Sequence, residues 1–180
     1  MDIIAHGLWA AAGATAARKS ANARIRVGWT VWWAMFPDLL AFGPPVAVGL
    51  WLLLTGGSLR RGHLPRVGFG VPLYPLGHSL IVFLLVFAIT SLLARRLVLE
   101  LLGWLSHILI DIFTHSFRYY ATRFLWPVSD YRFNGLTWWT PWFWCCTYGA
   151  LAIVYILLWR KGWLTRARPR PGTPEDRTLA

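Results

Sequence analysis

Residues 78–117 read HSLIVFLLVFAITSLLARRLVLELLGWLSHILIDIFTHSF. Two apolar runs, His78 to Ala94 and Leu97 to Phe117, meet at the basic pair Arg95-Arg96. As helices rising about 1.5 Å per residue, each run is long enough to cross most of a ~30 Å hydrocarbon layer. The second run carries His107, Asp111 and His115 at i, i+4 and i+8. At about 100° per residue, these side chains fall within roughly 80° of arc on one helix face. An ionisable side chain in such a segment costs about 2.5–3.5 kcal/mol on insertion scales and marks a candidate functional site. Imidazole and carboxylate one turn apart can chelate one cation, and neutral nitrogen with anionic oxygen suits Zn²⁺, Mn²⁺ or Fe²⁺. A buried ion pair that only holds helices in register is the alternative reading of the same spacing.

The rest of the chain supports lipid as the solvent. Hydrophobic residues make up 57% of the 180 positions against 14% charged, and mean hydropathy is +0.49, outside the range of soluble domains. Trp32-Trp33, Trp138-Trp139, Trp142 and Trp144 resemble interfacial belts, where an apolar ring with a polar tip is favoured. The net charge of +11 sits in short basic groups flanking apolar runs, the pattern of membrane-protein loops rather than of a nucleic-acid-binding domain. Cys145 and Cys146 are adjacent, which argues against a disulfide framework or a cysteine-based zinc site. The N-terminus lacks the features of a cleaved secretory signal and is expected to be retained.

The expected fold is all-α: a multi-pass transmembrane helical bundle of about four membrane-spanning helices plus shorter N-terminal helices. Residues 3–17 form a helix with Ala10, Gly13 and Ala17 in a small-residue stripe below His6, suited to close helix approach. Val27 to Pro37 is uncharged, Asp38 sits at an expected helix start, and Pro44-Pro45 is expected to kink or restart the helix over Leu39 to Thr55. Arg60 to Gly77 reads as an irregular Gly- and Pro-rich loop, Arg118 to Pro141 as a second loop, and Trp142 to Trp159 as the last membrane helix. Residues 1–160 are thus one membrane-embedded domain, and 161–180 a basic, Pro-rich tail with the composition of disorder. The distribution of Arg leaves the orientation across the membrane open.

Further ionisable residues fit the same chemistry. His6, Asp38 and His78 lie in three other apolar segments, and helical bundles build metal sites by projecting such groups inward from facing helices. Each histidine taken alone reads more readily as a hydrogen-bonded core residue, and it is their number together that favours a metal site. His115 is placed to orient a ligand, to carry a proton or to line a substrate pocket. Asp130 either braces the second loop or shares the catalytic proton work. Arg118, Arg123 and Arg132 can hold an anionic substrate or lipid phosphate. Glu100 adjoins Arg95-Arg96 and reads as a salt-bridge or helix-dipole residue, and His63 as a solvated loop residue.

The order of His6, FPD ending at Asp38, GHS at His78, the His107-x-x-x-Asp111 pair and LWP at Leu125 to Pro127 resembles the YdjM-like family. That family is described as LexA-binding, inner-membrane-associated metal-dependent hydrolases. The likeness spans roughly residues 1–130; FPDLLAF retains only Asp38 of the family's carboxylate-rich stretch, and PLG replaces its basic Arg-Gly element. The resemblance implies a helical bundle in a bacterial inner membrane, metal ligation by His6, Asp38, His78, His107 and Asp111, and some similarity to zinc-dependent phospholipase C proteins. The expected function is a membrane-bound hydrolase using a divalent metal, Zn²⁺ before Mn²⁺ or Fe²⁺, on a phosphoester or lipid-like substrate. Membrane lipid is the expected partner. A transport or ion-coupling protein using the same His and Asp groups, or a scaffold whose polar groups only fix packing, are the competing readings.

Overall fold

The computed structural model describes residues 1–21, 23–55 and 73–164, and the described residues contain helices and no strand. His63, most of the first loop and nearly all of the C-terminal tail lie outside them.

Helix α1 runs Ile3–Ser20; the Asp2 carboxylate caps it by accepting from the Ala5 N–H at 2.9 Å, and Arg18 and Lys19 complement the dipole in its last turn. Helix α2 spans Val27–Leu54 and continues through Pro37, Pro44 and Pro45. The expected helix start at Asp38 and restart at Pro44-Pro45 are therefore replaced by one 28-residue helix, about 42 Å long. Tertiary packing overrides the local cost of proline here: α1, the short α3 (Tyr74–Gly77) and α5 (Leu102–Thr114) all pack on α2. Helix α4, Leu80–Leu93, is capped by the Ser79 hydroxyl, which accepts from Ile81 and Val82. It ends just before Arg95, whose φ of 50° turns the chain. Helix α6, Pro141–Arg160, starts on proline at N1 and stops before Gly162, whose φ of 65° suits glycine.

Among the described residues two helices, α2 and α6, are long and apolar enough to cross a membrane, against the four expected. Helix α4 is apolar but has 14 residues, about 21 Å. The expected span Leu97 to Phe117 is a 3₁₀ turn, Leu99–Leu101, followed by the 13-residue α5. Helix α5 stays short because its length is used inside the protein: Trp104, His107, Ile108 and Asp111 are all buried, and the chain turns extended at His115. Apolar runs alone do not distinguish a lipid-facing helix from a buried central one.

Phe83, Leu101, Trp104, Ile108 and Ile112 form the main core, with Trp33 and Phe36 of α2 against them. A second cluster joins Ala5 of α1 to Leu151 of α6. The closest approach is Gly103, where any Cβ would run into the Thr30 carbonyl oxygen of α2. Contact without a side chain brings the α2 and α5 backbones together and sets their polar residues face to face. The Trp104 indole N–H donates to the Gly77 carbonyl, tying α3 to α5. Outside this core, apolar side chains remain exposed along one helix after another: Leu50, Trp51 and Leu54 on α2, Leu85 and Leu92 on α4, Ile153 and Leu157 on α6.

Candidate metal centre

Four ionisable residues from three parts of the chain meet at the junction of α2, α5 and the α3–α4 turn. Asp38, His78, His107 and Asp111 each offer a ligand atom, and those atoms all lie within 4.8 Å of one another. The two histidines and Asp111 are buried, and Asp38 is half-buried.

Local backbone bonding orients each imidazole. His107 Nδ1 lies 2.7 Å from the Ala34 carbonyl of α2, and His78 Nδ1 lies 2.9 Å from the Tyr74 carbonyl. A carbonyl only accepts, so each Nδ1 carries a proton, and in the neutral imidazole each Nε2 is then left with a lone pair. Pro37 removes the donor that would bond the Trp33 carbonyl and opens the helix ladder beside Ala34. The Tyr74 ring stacks on His78 with centroids 3.8 Å apart, and its hydroxyl donates to the Tyr120 carbonyl at 3.2 Å.

The two lone pairs converge: His78 Nε2 and His107 Nε2 are 3.1 Å apart. Asp111 Oδ2 lies 3.2 Å from His107 Nε2 and 3.5 Å from His78 Nε2. Two ligands bound at 2.0–2.1 Å to a tetrahedral cation are roughly 3.3 Å apart, so these three separations have the size of one tetrahedral face. Asp38 Oδ1, at 3.7 and 3.8 Å from the two nitrogens, stands slightly farther out as a fourth donor. Asp111 Oδ2 is buried without a hydrogen-bond donor. Facing lone pairs repel, and a buried carboxylate oxygen without a donor is costly, so this group fits a cation or a shared proton between its members. The cluster can therefore hold a metal ion, with chemistry that suits more than one transition metal.

The other oxygen of Asp111 has a different environment. Oδ1 accepts from His6 Nε2 at 2.9 Å and lies 2.6 Å from the Met1 amino nitrogen and 3.3 Å from His115 Nδ1. His6 also stacks on His107, centroids 3.8 Å apart. Burial first, then the neighbouring His107, lower the His6 imidazole to about 4, which keeps it neutral near pH 7. His6 sits in α1, outside the two candidate spans. The structure thus brings together His6, Asp38, His78, His107, Asp111 and His115, with His6 and His115 gathered on the Oδ1 side of Asp111, outside the four-residue group.

The remaining sequence candidates lie elsewhere. Asp130 is exposed and pairs with Arg123 at 3.2 Å, bracing the loop. The Arg118 guanidinium lies over the Tyr119 ring, and Arg123 and Arg132 line a separate small cavity of about 130 Å³. Long side chains in a loop reach solvent or their own neighbours more readily than a buried centre. Glu100 is paired as expected, with Arg96 at 3.8 Å, and more closely with Arg26 at 3.0 Å. Burial raises its carboxyl, but its own backbone N–H and Arg26 outweigh that and hold it below the ordinary value. Sequence reasoning missed Ala34 and Tyr74, whose carbonyls orient the histidines; Tyr74 stands four residues before His78, the only local signal for its role.

A cavity of about 620 Å³ opens beside the cluster, reaching Asp38 and His115 at its polar end and walled by Phe42, Tyr74, Tyr119 and Trp138. Comparison of the chain with family models, with curated protein sequences and with solved structures found no match.

Proposed function

We propose that the chain is a multi-pass membrane hydrolase that uses a divalent metal on a phosphoester or lipid-like substrate. The observation that carries this reading is the triangle of His78 Nε2, His107 Nε2 and Asp111 Oδ2, with edges of 3.1, 3.2 and 3.5 Å, whose fourth companion Asp38 lines a 620 Å³ cavity together with His115. Resemblance of the His6, FPD, GHS and His107-x-x-x-Asp111 motifs to the YdjM-like family supports the hydrolase class and a place in a bacterial inner membrane. The exposed apolar flanks of α2, α4 and α6 support membrane insertion, with α2 and α6 crossing.

Asp38, His78, His107 and Asp111 would hold the metal, Zn²⁺ first with Mn²⁺ or Fe²⁺ as alternatives. When bound at such a centre, a divalent cation polarises an ester or phosphoester oxygen and makes water a stronger nucleophile at neutral pH. The chain's own groups do the rest. The Ala34 and Tyr74 carbonyls hold His107 and His78 with Nε2 inward. His6 fixes the orientation of Asp111 through Oδ1. His115 borders both Asp111 and the cavity, where it can receive a proton from water and return it to the leaving oxygen. Water adds across the bond, the acyl or phosphoryl group gains the hydroxyl, and the leaving oxygen gains the proton, with no redox change.

The test is metal content by mass spectrometry of detergent-purified protein, wild type against His107→Ala/Asp111→Ala at equal folding, followed by a phosphoester and lipid-ester hydrolysis screen. Stoichiometric metal lost in the variant, with turnover lost alongside it, supports the reading. Wild-type protein that takes up no metal on reconstitution refutes it.

A further inference from the structure

The cavity beside the metal centre has features the hydrolase reading does not use. Along α2 it is lined by Leu39, Phe42, Gly43 and Val46, the i, i+3, i+4 and i+7 positions of one helix stripe. That stripe continues on the same helix to Leu50, Leu53 and Leu54, each more than half exposed. The groove lining on α2 is therefore apolar from Leu39 to Val46, and the exposed stripe beyond it on the same candidate membrane span is apolar too. Across from α2 stand Tyr119, Tyr120, Trp138 and Trp139, aromatic residues of the kind that settle at the level of lipid headgroups. No Arg or Lys side chain is among the described residues lining the groove; of its two carboxylates, Asp38 belongs to the metal centre and Asp2 caps α1 and accepts from the Tyr148 hydroxyl. The basic pair Arg123 and Arg132 lies behind Tyr74 and Tyr120, in the separate 130 Å³ cavity.

From these observations the geometry points to a substrate that is a membrane amphiphile with a long apolar chain, entering sideways from the bilayer along α2. The chain lies in the groove and its hydrolysable head reaches Asp38 and His115. With no Arg or Lys side chain among the described lining residues and the Met1 ammonium already paired with Asp111, the groove wall consists mainly of six aromatic rings and an aliphatic stripe, which suit a hydrocarbon chain. A volume of about 620 Å³ is in the range that encloses most of one small ligand, which fits a single chain. A short water-soluble ester would leave this surface unfilled. This inference rests on the hydrolase reading for the fate of the head, while the seat of the chain can be tested by itself.

Gly43 provides the test, because a side chain placed there meets nothing within 4 Å and would project into the groove without disturbing the packing. Full-length protein in phosphatidylcholine vesicles would be irradiated with a trace of hexadecyl phosphate carrying a diazirine near the chain end, and labelled peptides mapped. Label is expected in 39–46 and 119–139, falling roughly tenfold or more in Gly43→Leu and in Val46→Trp. Gly49→Leu, on the same helix with equally open space but outside the groove, keeps the label. Metal content is unchanged in all three variants. Label that is indifferent to Gly43→Leu, or confined to the outer faces of α4 and α6, overturns the inference even when the metal is present. Groove labelling lost in Gly43→Leu, in protein that binds no metal, upholds the chain's seat and refutes the hydrolase reading instead.

Discussion

Replacing His6 with alanine separates a residue that binds the metal from one that positions a ligand. His6 Nε2 holds Asp111 Oδ1 at 2.9 Å, and its ring stacks on His107 at 3.8 Å, while the four converging donor atoms belong to other residues. Removing it leaves every donor in place but takes one of the partners of Asp111 Oδ1, beside the Met1 amino group and His115, and one wall of His107. Loss of such a supporting partner weakens metal binding about 10–100-fold, or about 1.4–2.7 kcal/mol. Removal of a donor itself, in His107→Ala, is expected to abolish stoichiometric binding. His6→Gln retains an N–H donor on a longer side chain and should recover part of the loss. The assay is competition against a chelator of known affinity, run on detergent-purified protein with circular dichroism to match folding. If His6→Ala loses the metal as completely as His107→Ala, His6 is itself a ligand and the positioning argument is wrong. If affinity is unchanged, the Asp111 contact does not orient the site.

Other perturbations follow from the same geometry. Gly103→Ala puts a methyl group into the Thr30 carbonyl, so α5 must move off α2; overpacking of this kind costs typically about 1–3 kcal/mol, and thermal unfolding should shift down while metal affinity falls with it. Because the folded Glu100 carboxyl is held below its ordinary value of 4.5, its contribution to stability is present above that pH and is lost as pH falls through the folded value. The Arg26 side chain is 66% exposed, so the effect is small, under about 1 kcal/mol, and the acid slope of stability should flatten in Glu100→Gln. Asp130→Ala should leave metal content and turnover unaltered and change stability by no more than about 0.5 kcal/mol, because its only ion pair among the described residues is an exposed one with Arg123. A large loss of turnover at normal metal content would return Asp130 to the catalytic group.

Much of the centre was legible because its signals are chemical rather than conformational. Ionisable residues are scarce in the apolar body of this chain, so His6, Asp38, His78, His107 and Asp111 stand out wherever they fall. The pairing of His107 with Asp111 followed from helical periodicity alone, since both sit in one helix. Asp130 and the three loop arginines were harder to place, because loop residues have no periodicity to say which way they point.

By itself the sequence determined an all-helical, strongly apolar chain, the identity of the residues able to bind a cation, and the i, i+4 pair at its heart. Only the tertiary structure decided which apolar runs are buried and which are exposed, since a short central helix and a lipid-facing one have the same composition. Helix length in the structure left two helices long enough to cross among the described residues, against four expected, and burial turned the run from Leu97 into the central α5. The tertiary structure also separated the two oxygens of Asp111, one turned to Asp38, His78 and His107 and the other to His6 and His115. Those roles depend on distances between residues as many as 105 positions apart, set where Gly103 lets α5 close against α2, and no local spacing encodes them.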